Sequence, residues 1–186
     1  PLLRHDALWK LGEGQERCFE MILPSIAAGA RQVTEYAASL GIRTCTENHG
    51  MIAQDSDRMQ ALVLAVHHPN YGLLLDLGNF SCVDEDPVHA VSRLAPLAFH
   101  VHVKDFFRRS IAQGPADGFF QTRGCNYLQG CAVGEGDLPI HQCISVLQQA
   151  GYHGFFSLEY EGKEDCLDGI RKGLYHLRFW EASSAQ

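Results

Sequence analysis

The sequence has 186 residues, with 15 Lys and Arg against 22 Asp and Glu, which gives a net charge of −7 when histidine is neutral. This acidic balance argues against a nucleic-acid partner, and the lack of a run of about 18 apolar residues argues against a membrane span. The length favours one globular domain over residues 1–186.

The N-terminus and the cysteines together indicate a cytoplasmic protein. Residues 1–10 lack the basic and then apolar pattern of a secretory leader. The seven cysteines are an odd number without a C-x-x-C pair, which argues against both a disulfide framework and a cysteine zinc site. We therefore predict reduced thiols, most of them buried, and a cytoplasmic location.

Hydrophobic periodicity predicts helices and strands in alternation along the chain. Helices are predicted over residues 15–40, 55–66, 87–94, 137–150 and 164–180. Strands are predicted over residues 43–47, 72–76, 99–103 and 155–159. Asp55 or Ser56 is expected to cap the second helix. Residues 106–135 contain six glycines or prolines and no clean period, so a long loop is predicted there, either an ordinary insertion or a lid.

Strands that alternate with helices predict an α/β fold with parallel strands and right-handed crossovers. Two architectures fit this order. One is a small open doubly wound sheet, and the other is part of a (β/α)₈ barrel, which in full needs roughly 250 residues. The positions of the polar residues that could form a functional site decide between the two architectures.

The glycine-bearing segment G-E-G-D at residues 134–137 precedes the fourth predicted helix. Such a segment at a helix N-terminus could cradle a phosphate. The two acidic residues oppose an anion at this place, so a turn with Asp137 as the helix cap is the favoured interpretation.

A polar residue of a type that binds cations stands at or near the end of each predicted strand. These residues are Glu47, Asp76, His102 and Glu159. In parallel α/β folds, functional groups collect at the carboxyl ends of strands. A mixed set of carboxylates and one imidazole suits Mn²⁺, Mg²⁺ or another divalent ion. Each residue alone would be an ordinary surface group, but the four together predict a site.

The strand around His102 favours the barrel. His100, His102 and Lys104 alternate with valines and therefore share one face. Helices on both sides of an open sheet would leave this polar row without partners, whereas a barrel mouth offers water, carboxylates and a cation. His100 is predicted to be a buried, hydrogen-bonded histidine. Lys104 either pairs with a carboxylate of the site or meets an anionic substrate.

Five short segments occur in a characteristic order. They are T-E-N-H-G (46–50), L-L-L-D-L-G-N-F (73–80), H-V-H-V-K-D-F (100–106), G-E-G-D (134–137) and S-L-E-Y-E-G (157–162). Together they resemble the last four βα units of the xylose-isomerase-like TIM barrels, the sugar phosphate isomerase/epimerase superfamily. The resemblance covers nearly the whole chain. It implies a partial barrel that lacks its N-terminal strands, with residues 1–5 as the tail of the fourth strand.

The resemblance also implies roles for individual residues. A divalent ion, most often Mn²⁺, with Mg²⁺, Co²⁺ and Zn²⁺ as alternatives, would be held by Glu47, Asp76, His102 and Glu159, and the two glutamates would move protons. Substrate contacts are expected from His49, Asn79, Lys104 and Arg108. Asn79 departs from the family pattern, because several members have histidine there. For His49 a structural role beside the metal is the alternative to a place in the pocket.

The implied function is that of an isomerase or epimerase acting on a sugar, sugar phosphate or polyol. A metal-polarised carbonyl loses a neighbouring proton, and the resulting metal-stabilised enediolate takes a proton back. A dehydratase of the inosose or dehydroshikimate type and a non-catalytic remnant stay open as alternatives. An endonuclease IV-like DNA repair enzyme is disfavoured by the negative charge. Because a partial barrel exposes strand edges, a homo-oligomer is predicted.

Overall fold

The computed structural model describes residues 12–184, in which seven strands and five α-helices follow one another. The strands are β1 (Thr44–Glu47), β2 (Tyr71–Asp76), β3 (Ala98–Val103), β4 (Asp105–Arg109), β5 (Phe120–Gln121), β6 (Tyr127–Cys131) and β7 (Phe156–Leu158). The helices are α1 (Gly12–Ser39), α2 (Ser56–Val66), α3 (Pro87–Leu94), α4 (Ile140–Gln149) and α5 (Cys166–Ser184). The strand tail predicted at residues 1–5 lies outside the described residues.

Four strands form a parallel sheet with the order β1–β2–β3–β7. Each neighbouring pair is joined by a crossover that contains a helix, as parallel pairing requires. The strands keep their chain order across the sheet, without the reversal that marks a doubly wound fold. The structure therefore confirms the parallel α/β fold and favours the barrel-type arrangement of consecutive βα units.

The core lies on the face of this sheet that the helices cover. Leu73, Leu75, Val101 and Val103 are fully buried and belong to one apolar cluster with residues of α3 and α4. Side chains alternate between the two faces of a strand, so the neighbouring residue His102 lies on the opposite face. The alternating apolar residues thus form the packed face of the sheet, and the residues between them place polar side chains on the other face.

The second helix is confirmed to within one residue of its predicted range, and the structure identifies its cap. The Asp55 carboxylate accepts a hydrogen bond from the Arg58 N–H at 3.0 Å, so Asp55 and not Ser56 is the N-terminal cap of α2. The Ser56 hydroxyl instead donates to Glu85. The helix ends at Val66, and the φ of 48° at the following cap residue, His67, lies in the left-handed region.

The prediction of a loop over residues 106–135 is wrong, because most of a second, antiparallel sheet lies there. Its strand order is β4–β6–β5. Phe106 pairs with Gly130, and Arg108 pairs with Leu128. Phe106 and Leu128 are both buried. Consecutive phenylalanines and arginines hide the two-residue period in β4, and the pairing partner lies some 20 residues later, where a local pattern does not reach.

The carboxylate of Asp105 fills the backbone turn over residues 134–138. It accepts hydrogen bonds from four backbone N–H groups, those of Phe106 at 2.8 Å, Gly134 at 2.9 Å, Gly136 at 3.1 Å and Leu138 at 3.3 Å. Converging backbone N–H groups of this kind form an anion-binding concavity. The backbone N–H groups of this segment are therefore not available to a phosphate, because they already bind the Asp105 carboxylate.

The prediction that Asp137 caps the fourth helix is also wrong. Helix α4 begins only at Ile140, and Pro139 occupies its cap position. The Asp137 carboxylate accepts the N–H of Arg108 at 2.7 Å and so links the turn to β4. The cap residue of a helix cannot be read from composition when a nearby strand competes for the same side chain.

All seven cysteines are free thiols. Cys82, Cys131 and Cys143 are buried, and burial raises the pKa of each to about 12. The expectation that most are buried is wrong, since Cys45, Cys125 and Cys166 are exposed and Cys18 is half-buried. Among the helices of residues 12–184, none combines the length and the hydropathy that a membrane span needs.

Candidate metal centre

Four side chains from the four parallel strands meet at one edge of the sheet. Glu47 and Asp76 end β1 and β2, His102 is the penultimate residue of β3, and Glu159 directly follows β7. One ligand atom from each lies within 4.8 Å of the ligand atoms of the other three. The structure thus brings together all four residues that the sequence proposes as metal ligands.

The geometry of these four residues, which we call the tetrad, leaves room for an ion between them. The Nδ1 atom of His102 lies 3.3 Å from Glu159 Oε2 and 3.6 Å from Glu47 Oε1. Asp76 is fully buried, whereas the side chains of Glu47 and Glu159 are 29% and 36% exposed. The Asp76 side of the tetrad is therefore shielded from water, whereas the two glutamates are partly exposed to solvent.

Three buried atoms of the tetrad form no hydrogen bond of good geometry within the described part of the chain, namely Asp76 Oδ2, His102 Nδ1 and Glu159 Oε2. They are held only by ion-pair contacts with one another and with Lys104. Buried polar atoms almost always form hydrogen bonds in folded proteins, so three that converge on a common centre without them need an explanation. Carboxylate oxygens and an imidazole nitrogen are suitable ligands for a divalent cation. The residues present therefore fit such an ion.

Asp76 divides its two oxygens between the backbone and the tetrad. Its Oδ1 atom accepts the N–H groups of Gly78 and Asn79, both at 2.9 Å, which fixes the carboxylate and leaves Oδ2 for the centre. The Asn48 side chain adds two hydrogen bonds to the backbone of Asp76, at 2.8 and 3.0 Å. Sequence reasoning missed Asn48, although its place directly after Glu47 at the end of a strand was a signal.

The pKa values of Asp76 and Glu159 are shifted in opposite directions. Burial raises the pKa of Asp76 well above its usual range, against the opposing effect of the Lys104 ammonium, and the neighbouring Glu159 carboxyl raises it further. Burial also acts to raise the pKa of Glu159, but the neighbouring Asp76 carboxyl and Lys104 ammonium outweigh it and leave that pKa below its usual value. Of the two carboxyls, Asp76 therefore holds a proton more readily than Glu159.

Lys104 lies beneath the tetrad and is 2% exposed. Its Nζ atom is 3.1 Å from Glu159 Oε2, 3.3 Å from Glu161 Oε1 and 3.6 Å from Asp76 Oδ2. Burial acts to lower the pKa of Lys104, but Asp76 and the two glutamates outweigh it and raise that pKa above its ordinary value. Of the two alternatives for this residue, the structure shows the pairing of Lys104 with carboxylates of the site.

Asn79 is buried and lies between Glu47 and Lys104. Its side-chain N–H donates to Glu47 Oε1 at 3.3 Å, and its side-chain oxygen accepts from Lys104 Nζ at 3.5 Å. Gln54 donates to its backbone carbonyl at 2.7 Å. The structure therefore gives Asn79 the position of a residue that orients a tetrad glutamate.

The other two predicted substrate-contacting residues, His49 and Arg108, are both exposed. His49 is exposed in the turn after β1, where it forms a bridge with Ala53. Arg108 is exposed on β4 and lines a cleft with Ser81 and residues of β6, a cleft to which the tetrad does not contribute. His100 is hydrogen-bonded as predicted, with 2.8 Å between its Nε2 atom and the Ser157 hydroxyl, but it is half-buried and not buried.

A family model described as "Xylose isomerase-like TIM barrel" matches residues 7–180. The chain belongs to this family. Among curated proteins it is similar to an inosose dehydratase of Clostridium perfringens, at 22% identity over 138 residues, and to one of Mesomycoplasma hyopneumoniae, at 23% over 165 residues. The matches cover 74% and 83% of this chain but 46% and 53% of the relatives. The chain thus spans about half the length of these relatives.

Solved structures share the fold. A xylose isomerase-like TIM barrel protein from Mycobacterium smegmatis in complex with magnesium has a TM-score of 0.69 at 20% identity, with 87% of this chain and 51% of that chain covered. The IOLI protein with a bound zinc atom has a TM-score of 0.69 at 17% identity, with 87% and 57% covered. The 3-keto-D-glucoside 4-epimerase YcjR from E. coli has a TM-score of 0.60 at 17% identity, with 82% and 52% covered. The described strands therefore correspond to a partial barrel.

Proposed function

We propose that the chain carries the metal centre of a cytoplasmic, divalent-metal-dependent isomerase or epimerase that acts on a small sugar, sugar phosphate or polyol. The observation that carries the proposal is the convergence of the tetrad, in which three buried ligand atoms form no hydrogen bond of good geometry within the described residues. Mn²⁺ is the ion we expect, because hard oxygen ligands outnumber the single imidazole.

An ion bound by the tetrad would supply Lewis-acid polarisation of a substrate carbonyl. The protein's own contribution is proton transfer and positioning. Glu159, whose pKa lies below its usual value, is ionised at neutral pH and so is able to take the proton next to the carbonyl. Glu47, partly exposed on the other side of His102, is placed to return a proton to the resulting enediolate. Asn79 orients Glu47 by the hydrogen bond at 3.3 Å.

Dehydration is the second candidate, because the similar proteins of C. perfringens and M. hyopneumoniae are inosose dehydratases. Its first step is the same removal of a proton beside a carbonyl. The two reactions differ in their second step, since an isomerase or epimerase returns a proton to carbon, whereas a dehydratase releases hydroxide as water.

The metal centre is tested by counting Mn²⁺ ions bound per chain in the wild type, His102→Ala and Glu159→Gln. We expect one ion in the wild type and a loss of most of it in both variants, because each removes one of four ligands. His100→Ala is the matched control, since His100 lies on the same strand but outside the tetrad. Unchanged stoichiometry in both ligand variants would reject the proposed centre.

The reaction is tested on the Mn²⁺-loaded wild type with keto-sugars and inososes in deuterated water. We expect deuterium to enter the carbon beside the carbonyl and to remain in an isomer or epimer, which nuclear magnetic resonance detects. Loss of water with formation of an unsaturated product would favour the dehydratase. A loaded chain that exchanges no deuterium with any substrate of this class would contradict both candidates.

A further inference from the structure

The ammonium group of Lys104 is surrounded by four oxygen atoms in the manner of a coordinated cation. Its Nζ atom lies 3.1 Å from Glu159 Oε2, 3.3 Å from Glu161 Oε1, 3.5 Å from Asn79 Oδ1 and 3.6 Å from Asp76 Oδ2. The group is almost completely buried. This arrangement of three carboxylates and one amide oxygen is of the kind that also binds a hard divalent ion.

Two of these oxygen ligands are shared with the tetrad. Asp76 Oδ2 and Glu159 Oε2 face both the Lys104 ammonium and the ligand atoms of Glu47 and His102. The site therefore has two adjacent cation positions that are bridged by two carboxylates. Bridging carboxylates between neighbouring cations are the arrangement found in two-metal sites, where the ions lie about 3.5–4 Å apart.

We propose that the Lys104 ammonium takes the place of a second divalent ion and thereby limits this centre to a single metal. The inference rests on the proposed metal function of the tetrad. Glu161, Asn79, Asp76 and Glu159 form the second position, which Lys104 fills from within the chain.

Charge and volume both explain how Lys104 would exclude a second ion. Two like charges a few ångströms apart repel strongly where the surroundings are partly dry. The four carboxylates of Glu47, Asp76, Glu159 and Glu161 offset one divalent ion and one ammonium, with a single negative charge left over. The lysine stem also packs tightly beside Gly78, where an added Cβ atom would lie 3.1 Å from the Lys104 Cβ. Removing both the charge and the stem would leave an oxygen-lined position beside the first ion.

The second position is accessible to an ion once the lysine is removed. The Glu161 side chain is 49% exposed, so the oxygen that faces Lys104 belongs to a residue in contact with solvent. Ions that enter along Glu161 would meet the bridging oxygens of Asp76 and Glu159. The wild type offers this route too, but the ammonium occupies its end.

The test uses Mn²⁺ as the probe and compares the wild type, Lys104→Ala and Lys104→Met. The number of ions per chain is measured by elemental analysis after gel filtration, and electron paramagnetic resonance reports exchange coupling between neighbouring ions. We expect one ion in the wild type, two coupled ions in Lys104→Ala, and one in Lys104→Met, whose side chain refills the volume without a charge. Adding Glu161→Gln to Lys104→Ala should restore a single ion, because it weakens only the second position.

Folding is checked by circular dichroism for each variant, and Lys104→Ser, which leaves similar space and adds an oxygen, replaces Lys104→Ala if the latter does not fold. A folded small-residue variant that binds one ion or none, or two ions without coupling, would overturn the inference while the wild-type ion upholds the proposed function. A wild type that binds no Mn²⁺ would reject the tetrad as a metal centre, and this inference with it.

Discussion

Asp105 shows how a buried carboxylate in this protein serves structure, outside the tetrad. Each of its oxygens accepts two backbone N–H groups, Oδ1 from Phe106 and Leu138 and Oδ2 from Gly134 and Gly136. These bonds hold the turn before α4 against the first residues of β4. The residue thereby ties the antiparallel sheet to the turn that leads into α4.

Replacing Asp105 by asparagine should destabilise the fold by about 1–3 kcal/mol, because an amide NH₂ group would face two buried backbone N–H groups and leave them unpaired. The free energy of unfolding in urea measures this loss. Asp137→Asn is the matched control. The exposed Asp137 carboxylate accepts a single N–H, and we expect its loss to cost less than about 1 kcal/mol. Equal effects of the two substitutions would contradict the structural role of Asp105.

At the scale of single residues, sequence reasoning finds the ligands better than the residues that orient them. The tetrad is predictable because each member stands at the end of an apolar strand, and parallel strands bring their carboxyl ends together. The contacts of Asn48 and Asn79 are not predictable in this way. They join atoms some 30 residues apart, across strands whose register the sequence does not determine.

The antiparallel sheet supports the segment that carries two carboxylates of the site. Gly130, in β6, lies against the backbone of Glu161, so that a Cβ atom at this position would collide with the Glu161 carbonyl. Glu161 and Glu159 are separated by one residue, and both contact Lys104. The position of this second sheet is therefore coupled to the geometry of the centre.

Gly130→Ala should lower the free energy of unfolding by about 1–3 kcal/mol, since the clash is with backbone that has little room to shift. The same variant should weaken Mn²⁺ binding, measured by isothermal titration calorimetry, because the displaced segment carries Glu159.

Gly29→Ala provides the contrast. Gly29 lies in α1 with nothing near its hypothetical Cβ atom, so alanine should stabilise the helix by about 0.5–1 kcal/mol and leave Mn²⁺ binding unchanged. A Gly130→Ala protein with wild-type stability would refute the proposed support.

At the scale of elements, helices are the best predicted part of this fold. Helix α3 has the predicted bounds, and α2 differs by one residue from its predicted range, because both combine a strong period with an aspartate cap. The antiparallel strands are missed because β5 has only two residues and the alternation in β4 is broken. Short strands obtain their stability from partners distant in sequence, which a local pattern does not contain.

Viewed as a whole, the described chain is one side of a barrel with its inner face and both edges open. Strands β1 and β7 each pair on one side only within residues 12–184. The first and last helices also carry exposed apolar side chains, among them Val33 and Tyr36 on α1 and Leu174 and Phe179 on α5. Unpaired strand edges next to apolar surface favour association. We propose that a second copy of the chain covers these surfaces.

Sedimentation velocity at micromolar concentration tests this proposal. We expect the wild type to form a dimer, and Val33→Glu to shift it towards the monomer, because the substitution places a charge on the exposed flank of α1. Leu64→Glu is the matched control, since Leu64 is equally exposed but lies on α2, away from both edges. A monomeric wild type, or equal dissociation of both variants, would contradict the proposed interface.

At the scale of the molecule, the resemblance of five short segments predicts the family and the partial barrel, and both are confirmed. The segments specify strand ends and turns, which the family shares. They contain no information about the surface that completes the barrel, because the residues that would contact it are exposed and not constrained by the core.

The partial exposure of Glu47 and Glu159 has a consequence for the identity of the ion. Ligands at a wet rim release an ion readily, and a mixed set of oxygens with one imidazole discriminates weakly among first-row metals, whose intrinsic affinities follow a fixed series. Rapid exchange would therefore let occupancy follow the concentrations of free metals around the protein. The composition of the medium would then determine which ion the purified protein carries.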